Sequence, residues 1–316
     1  VTSPGIANWP APARLTVGIV SAGRVGTALG AALERADHVV GAVVARSPQS
    51  RSRAARRLPE SQILDLAAVA ARSELLIVSV PDAALPTVIA DLARSGAVRP
   101  GTIVAHTAGA RGVAILEPLT ALGATPLALH PAMTFVDSDD DITRLRSACF
   151  GVTAADEIGH AVGTSLVLEM GGEPVAVAEK ARPLYHAALA HGANHVVALV
   201  SDAVAALRIA LEQSAGEGFS AIDSDPLASG VPERILGPLV SAALANVLEL
   251  GPSALTGPVA RGDAAAVAAH LAALGAADPD LAETYRAMSL RDAARTDAPS
   301  ALIDVLTGST PPRGDL

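Results

Sequence analysis

A few polar side chains stand out because so much of the chain around them is apolar. Residues 179–195 read Glu-Lys-Ala-Arg-Pro-Leu-Tyr-His-Ala-Ala-Leu-Ala-His-Gly-Ala-Asn-His. The run favours helix, yet Lys180, His186, His191, Asn194 and His195 interrupt it. Polar groups in apolar surroundings need a polar partner or a polar small molecule. An imidazole or an ammonium can move a proton, and a carboxamide can orient a carbonyl. Lys180 draws notice for another reason: among 23 basic residues it is the one lysine. On a helix turning roughly 100° per residue, Leu184, Ala187, His191, Asn194, His195 and Ala198 share a face, and His186 lies about 80° from Asn194. One cleft can reach both. His191 and His195 have the spacing of metal ligands, but no acidic or Cys partner stands beside them, so no metal is expected.

A second constellation lies near the start. Residues 17–29 read Val-Gly-Ile-Val-Ser-Ala-Gly-Arg-Val-Gly-Thr-Ala-Leu, directly after an apolar, strand-like beginning at Leu15. A strand, a Gly-punctuated turn and a helix start form the context of a dinucleotide fingerprint. Gly23 would let the backbone approach a pyrophosphate, and Gly26 would let the helix pack closely on the strand. Unpaired N–H groups and the helix dipole then favour the phosphates. Ser21 stands where the first glycine of the fingerprint is expected, with a hydroxyl able to donate to phosphate. Ser21, Ala22, Gly23, Arg24, Val25 and Gly26 are thus candidate cofactor contacts.

The second strand discriminates between nicotinamide cofactors. An NAD site places an acid about 20 residues beyond the fingerprint, on the ribose 2′-hydroxyl. Residues 43–51 read Val-Val-Ala-Arg-Ser-Pro-Gln-Ser-Arg and contain no acid. Arg46, Ser47 and Arg51 suit a 2′-phosphate instead, so NADP(H) is the expected cofactor. Val80 and Pro81 end another strand and are expected on the adenosine side, with Asp82 as a helix cap. His106, Thr107 and His130 follow two further strands, where an open α/β sheet forms its ligand crevice. His106 is assigned to the cofactor, Thr107 and His130 to substrate. Thr256 and Arg261, in a Gly-flanked run before Asp263, are candidates for a substrate carboxylate, and Asp263 is a natural helix cap.

These groups need a frame, and the apolar pattern supplies one. Runs at 15–20, 38–44, 75–80, 102–106 and 126–130 read as buried parallel strands, with weaker strands at 148–152 and 174–177 around a helix at 156–170. From about Ala178 the pattern changes to long helices: 183–213, 232–250, 263–274 and 279–304. The expected fold class is α/β, a Rossmann-type parallel sheet over 14–178 followed by an all-helical domain over 179–306. Residues 1–13 read as a disordered leader without signal-peptide character, and 307–316 as a disordered tail.

Composition narrows the function classes. Half of the 316 residues are apolar and 68 are alanine, so the core must be built by close backbone approach. A net charge of −9 and six aromatic residues argue against a nucleic-acid surface. One cysteine, Cys149, excludes a disulfide framework. The most apolar long window, 235–260, is broken by Pro238, Asn246, Glu249, Gly251, Pro252 and Pro258, so no membrane span is expected. A cytoplasmic location is the matching expectation.

Taken together, the motifs resemble a known group within the 6-phosphogluconate and β-hydroxyacid dehydrogenase-like superfamily. This is the Rossmann-like group with a C-terminal domain of unknown function, which includes the alternate ketopantoate reductases. The resemblance rests on Gly-Ile-Val-Ser-Ala-Gly-Arg-Val-Gly at 18–26, Val-Pro-Asp at 80–82, His-Thr-Ala-Gly at 106–109 and His-Pro at 130–131. Leu-Tyr-His-Ala-Ala at 184–188, Asn194, Asn246 and the run from Leu255 to Asp263 extend it. His-Thr-Ala-Gly replaces a more usual His-Thr-Ser-Gly, removing a hydroxyl. The resemblance implies an NADP-binding fold, a cleft between two domains and a homodimer formed through the helical domain. It also implies hydride transfer to a small 2-keto acid, ketopantoate first, or to another oxo acid or an imine. A non-catalytic NADP-binding sensor is the reading from another class. Related dehydrogenases use a helix lysine and an asparagine about one turn on. Lys180 and Asn194 are too far apart in sequence to match that directly, so His186 with Asn194, or Lys180, is the expected proton donor.

Overall fold

The structure, a computed structural model, describes residues 14–216 and 230–308. The leader expected over 1–13 and the tail from 309 onward lie outside the described residues. Thr307 still belongs to the last helix, and Gly308 ends it in the left-handed region at φ 71°. The chain divides into two compact units, Val1–Ala190 and His191–Leu316. The first unit extends past the expected boundary at 178 and keeps the opening turns of the long helix.

The first unit is built on one sheet. Its strands are β1 (Thr16–Val20), β2 (Val39–Val44), β3 (Gln62–Ile63), β4 (Leu75–Val78), β5 (Ile103–His106), β6 (Thr125–Pro131), β7 (Cys149–Ala154) and β8 (Glu173–Ala176). They lie in the order β3-β2-β1-β4-β5-β6-β7-β8. Every neighbouring pair is parallel except β6 and β7, where His130 faces Gly151 and Ala128 faces Thr153 in antiparallel register. The α/β class stands, with that reversal added. The carboxyl ends of β1, β2, β4, β5 and β6 therefore share one edge, and the strand order reverses between β1 and β4. In an open α/β sheet that reversal opens a crevice.

Helices cover both faces: α1 (Arg24–Arg35), α2 (Pro48–Arg57), α3 (Leu66–Ala71), α4 (Leu85–Ser95), α5 (Glu117–Thr120), α6 (Asp140–Leu145) and α7 (Glu157–Glu169). One core packs Ile19, Leu33, Leu75 and Leu129 with Phe150, and the other packs Leu76, Ile89, Leu92 and Leu116. His38 is buried and ties two elements together. Its Nδ1 accepts from the Leu15 N–H at 3.1 Å, so its Nε2–H is left to donate to Glu169 at 2.7 Å on α7. Asp82 is not the cap expected of it: α4 starts beyond Ala84 without a side-chain cap.

The helical part comprises α8 (Arg182–Gly216), α9 (Val231–Leu250), α10 (Ala264–Ala277), α11 (Pro279–Ala293) and α12 (Ser300–Thr307). The single helix expected over 279–304 is two, because Pro299 sits in extended backbone at φ −66°, ψ 151° and begins α12 afresh. Val267, Leu271, Ala293, Leu302 and Leu306 form a small core among α10, α11 and α12. Asp263 caps α10 as expected, accepting from the Ala266 N–H at 3.0 Å. By contrast α8 and α9 leave Val196, Val197, Leu239, Leu244 and Leu248 exposed. By length and composition these two helices are apolar enough to cross a bilayer. The expected absence of a span therefore does not follow from helix composition, and the breaks within 235–260 do not prevent one continuous helix around Pro238.

Candidate functional site

The turn after β1 takes the form the fingerprint demands. Ser21 holds φ 85°, in the left-handed region that favours glycine. Two neighbours hold it there: the Ala22 N–H donates to Val44 O at 2.9 Å, and the Ser79 hydroxyl donates to Ser21 O at 3.0 Å. Gly23 is the N-cap of α1, in extended backbone with no side chain capping the helix. Its missing Cβ would meet nothing closer than 3.5 Å, whereas a Cβ at Gly26 would fall 2.2 Å from Ser79 Oγ and 2.4 Å from Ser21 O. Gly26 thus serves close packing, and Gly23 leaves an open approach to uncapped amides. Val25 follows at the start of the helix, half-buried and packed against the core.

At the ends of β2 and β3 a cavity of about 600 Å³ opens, lined by Val44, Ala45, Arg46, Arg51, Ile63 and Leu66 among others. Both guanidiniums expected for a 2′-phosphate are on its wall. Asp65, also in the lining, is engaged as the cap of α3 through the Ala68 N–H at 2.8 Å. Ser47 accepts from the Ser50 N–H at 3.1 Å and so caps α2, which puts its hydroxyl to structural use. β4 stops at Val78, leaving Val80 half-buried and Pro81 exposed beyond it. Arg24 is exposed on the first turn of α1 and reaches Phe135 O at 3.4 Å. Arg53 donates to Ala22 O at 3.1 Å and pairs with Asp137 at 3.0 Å, tying the turn to the segment after β6. The uncapped helix start and the cationic cavity fit a phosphorylated dinucleotide.

Further along the same edge, at the end of β6, lies a second cluster. His130 Nδ1 and Tyr185 Oη are 3.1 Å apart, and the His130 and His186 rings meet edge to face at 5.8 Å. A Cβ at Gly109 would lie 2.3 Å from His186 and 2.9 Å from His130 Nε2, so any larger residue there would have to displace the two rings. Behind the cluster Arg182 is wholly buried. Its Nε donates to Thr153 Oγ1 at 2.8 Å, and its Nη2 to Ala128 O at 2.8 Å and Gly151 O at 2.9 Å. The guanidinium carbon lies 5.7 Å from the Tyr185 ring centre. Among the described residues no carboxylate accepts from it, and Nη1 is buried without a partner.

Burial pushes His130 down to about 4, helped by Arg182, His186 and His106, so its imidazole is neutral near pH 7. Burial raises the Tyr185 phenol, while Arg182 and the Gly151 backbone pull it the other way. His106 departs from its expected part as a cofactor contact. Its ring is fully buried, with Nδ1 accepting from the Ala108 N–H and Nε2 donating to Gly112 O at 2.8 Å. It shapes the loop that carries Gly109, and burial lowers it to about 4. Thr107 is half-buried beside it, its N–H donating to Val78 O at 3.2 Å.

Lys180 also departs from expectation. It sits exposed on the short 3-10 turn Glu179–Ala181, outside the hydrogen-bonded cluster, and the cation turned inward is Arg182. Asn194 is exposed further along α8, and His191 and His195 approach within 2.8 Å on its surface. Among the described residues no group of three metal-ligating side chains occurs. Thr256 and Arg261 belong to the second unit, both exposed on the turns before α10. Sequence reasoning missed Arg182 and Tyr185, although helix spacing offered a signal: residues 182, 185 and 186 share one face.

Comparison with known proteins now adds to this geometry. A Rossmann-like domain model matches residues 2–131, and a model described as a domain of unknown function (DUF2520) matches 148–292. Among solved structures, a candidate NADP oxidoreductase from Bacteroides fragilis superposes with a TM-score of 0.69 at 21% identity, over 89% of this chain and 98% of that one. A reductive aminase from Aspergillus terreus, solved with NADPH and ethyl-5-oxohexanoate, gives 0.61 at 17% identity, over 92% and 99%. A pyrroline carboxylate reductase from Plasmodium falciparum with NADP bound gives 0.52 at 10%, over 89% and 98%. At these identities the likeness is one of fold. No curated protein matches the sequence.

Proposed function

We propose that this chain is an NADPH-dependent oxidoreductase that reduces the carbonyl of a small 2-oxo acid, with 2-dehydropantoate (ketopantoate) as first candidate. The observation that carries the reading is the pairing, along one sheet edge, of a cationic nucleotide cavity with a neutral imidazole–phenol cluster. When bound, NADPH would supply the hydride. The chain's own residues would do the rest. The α1 amides and Gly23 would receive the pyrophosphate, and Arg46 and Arg51 the 2′-phosphate. The cluster at His130, Tyr185 and His186 would supply the proton that turns an alkoxide into an alcohol. Arg182 favours negative charge nearby, which suits a carboxylate substrate and a developing alkoxide.

A second reading is imine reduction, supported by the reductive aminase and pyrroline carboxylate reductase that share the fold. Its reactive species is a cationic iminium. The Arg182 charge, with no carboxylate among the described residues hydrogen-bonded to it, weighs against that cation. The exposed apolar faces of α8 and α9 support a further element of the proposal, that a second copy of the chain covers them in a homodimer.

NADPH oxidation across a panel of 2-oxo acids including ketopantoate, with cyclic imines beside them and NADH as control, tests the reading. Turnover of an oxo acid with NADPH is expected. Turnover of imines alone would overturn the carbonyl assignment, and equal use of NADH would overturn the role of Arg46 and Arg51.

A further inference from the structure

We propose that Tyr185 and His130 form a two-membered proton relay whose outlet is His130 Nε2, with Arg182 as the positioning residue that holds it. The inference deepens the carbonyl-reduction reading and rests on it for the identity of the proton acceptor. Three observations carry it. The Tyr185 hydroxyl lies 3.1 Å from His130 Nδ1, while His130 Nε2 has no hydrogen-bond partner among the described residues. Gly151 on β7 is bare where a Cβ would lie 2.8 Å from the phenol oxygen, which seats Tyr185 against the strand pair. Arg182 binds Ala128 O and Gly151 O, the backbone flanking His130 and Tyr185, and lies against the Tyr185 ring.

The direction of the hydrogen bond follows from the surrounding charges. His130 faces Arg182, Tyr185 and His186 from α8, His106 from β5 and the bare Gly109 loop. Glu179 accepts from the Val113 and Ala114 N–H groups and its charge acts on Arg182 and His106, while no carboxylate among the described residues acts on His130. An imidazolium there is disfavoured, so the ring carries one N–H. The Gly151 backbone already donates to the phenol oxygen. The relay assigns the hydroxyl proton of Tyr185 to the Nδ1 contact and the ring proton to Nε2. Hydride addition to a carbonyl carbon leaves an alkoxide on oxygen. The alkoxide takes the Nε2 proton as Nδ1 takes the hydroxyl proton of Tyr185. The balance is alkoxide plus phenol giving alcohol plus phenolate, with the imidazole neutral before and after. Arg182 steadies the phenolate until solvent reprotonates Nε2 and Nδ1 hands its proton back to Tyr185.

The test uses the full chain. Tyr185 and Tyr285 are its two tyrosines, so 3-fluorotyrosine incorporated into a Tyr285→Phe background reports Tyr185 alone by fluorine NMR. Arg182→Met should move the phenol titration upward by about one pH unit or more, with Arg182→Lys restoring part of it. NADPH binding retained by both variants shows that they fold. An unmoved titration would overturn the role of Arg182. In steady state Tyr185→Phe should lower kcat by about 100-fold with KM for NADPH unchanged. Full kcat in that variant would overturn the relay while leaving the reductase reading intact. If no carbonyl compound is turned over, the reductase reading fails, and the fluorine titration still decides whether Arg182 holds the pair.

Discussion

Gly23 and Gly26 are three residues apart, and substituting each by alanine should produce opposite failures. A Cβ at Gly26 would stand 2.4 Å from the Ser21 carbonyl oxygen, which is backbone and cannot rotate aside, and 2.2 Å from Ser79 Oγ. Ordinary contact requires the α1 start and the turn to separate by about 1 Å, and overpacking of this kind costs roughly 1–3 kcal/mol. The Ser79 hydroxyl must also leave Ser21 O, at roughly another 1 kcal/mol. Gly26→Ala should therefore lose about 2–4 kcal/mol of stability, with a fall in Tm of about 2–4 °C per kcal/mol for a unit of this size. At Gly23 the nearest atoms are 3.5 and 3.9 Å from the same imaginary Cβ, and φ is −75°. An alanine fits there without strain. It loses only the slight preference of an N-cap for glycine, up to about 1 kcal/mol.

The ligand reverses the order of the two variants. The Gly23 Cβ would occupy the open approach to the uncapped amides, so Gly23→Ala should weaken NADPH at least tenfold, about 1.4 kcal/mol, in a protein that melts near the parent. Thermal melting with and without NADPH, together with a fluorescence titration of NADPH, reads both effects. Parental NADPH affinity in Gly23→Ala would refute the placement of the pyrophosphate at this turn. Parental stability in Gly26→Ala would refute the packing argument.

Other consequences are simpler to read. Arg46→Ala and Arg51→Ala should each weaken NADPH by roughly 10-fold or more, as the loss of a charge-assisted contact of about 1.5–3 kcal/mol requires, with NADH affinity unchanged in the same titration. Ser21→Gly should raise stability by about 0.5–1 kcal/mol, because relief of roughly 1–2 kcal/mol of left-handed strain exceeds the added chain entropy of glycine; urea unfolding checks it, and a loss would show that the Ser21 side chain contributes more than its strain. His106 and His130 are held down to about 4 by burial, below the ordinary 6.5. Their neutral forms are favoured in the fold, so this stability is present above pH 6.5 and lost as pH falls toward 4, on the order of 3 kcal/mol for each histidine. Urea midpoints at pH 7 and pH 5 should show the fall, and a His106→Ala protein should show a shallower one.

How much of this was readable in advance depends on how far each signal acts along the chain. The strands at the carboxyl edge were legible because a strand buried on both faces must be apolar throughout, as β1 and β4 are. The pair β6 and β7 reads the same way whichever direction it runs, so the antiparallel step carries no local mark. β3 has two residues, both exposed, and no pattern that short separates from a loop. The break between α11 and α12 was marked by Pro299, but the helical pattern on either side outweighs one proline in any window average.

The site divides along similar lines. Turn chemistry is local: short-range spacing alone marks the turn that Ser21, Gly23 and Gly26 build, and the two arginines, Arg46 and Arg51, that line the cavity at the ends of β2 and β3. The direction of a buried side chain is set by long-range partners, and here the cation turned inward is Arg182 while Lys180 is exposed. Lys180 is rare in composition, but Arg182 is the residue whose partners sit on two other strands. A lysine at 182 could not replace it. Three acceptors, Thr153 Oγ1, Ala128 O and Gly151 O, are met by one planar fork with donors at fixed angles. An ammonium is a single, strongly hydrated point that would have to be stripped of water in the same space. The helical step from 182 to 185 and 186 shows which face turns inward, and β6 and β7 determine what that face meets. Only the first of these is written in sequence order, so pattern reasoning reaches the shared face of Arg182, Tyr185 and His186 but not the strand acceptors that hold the guanidinium.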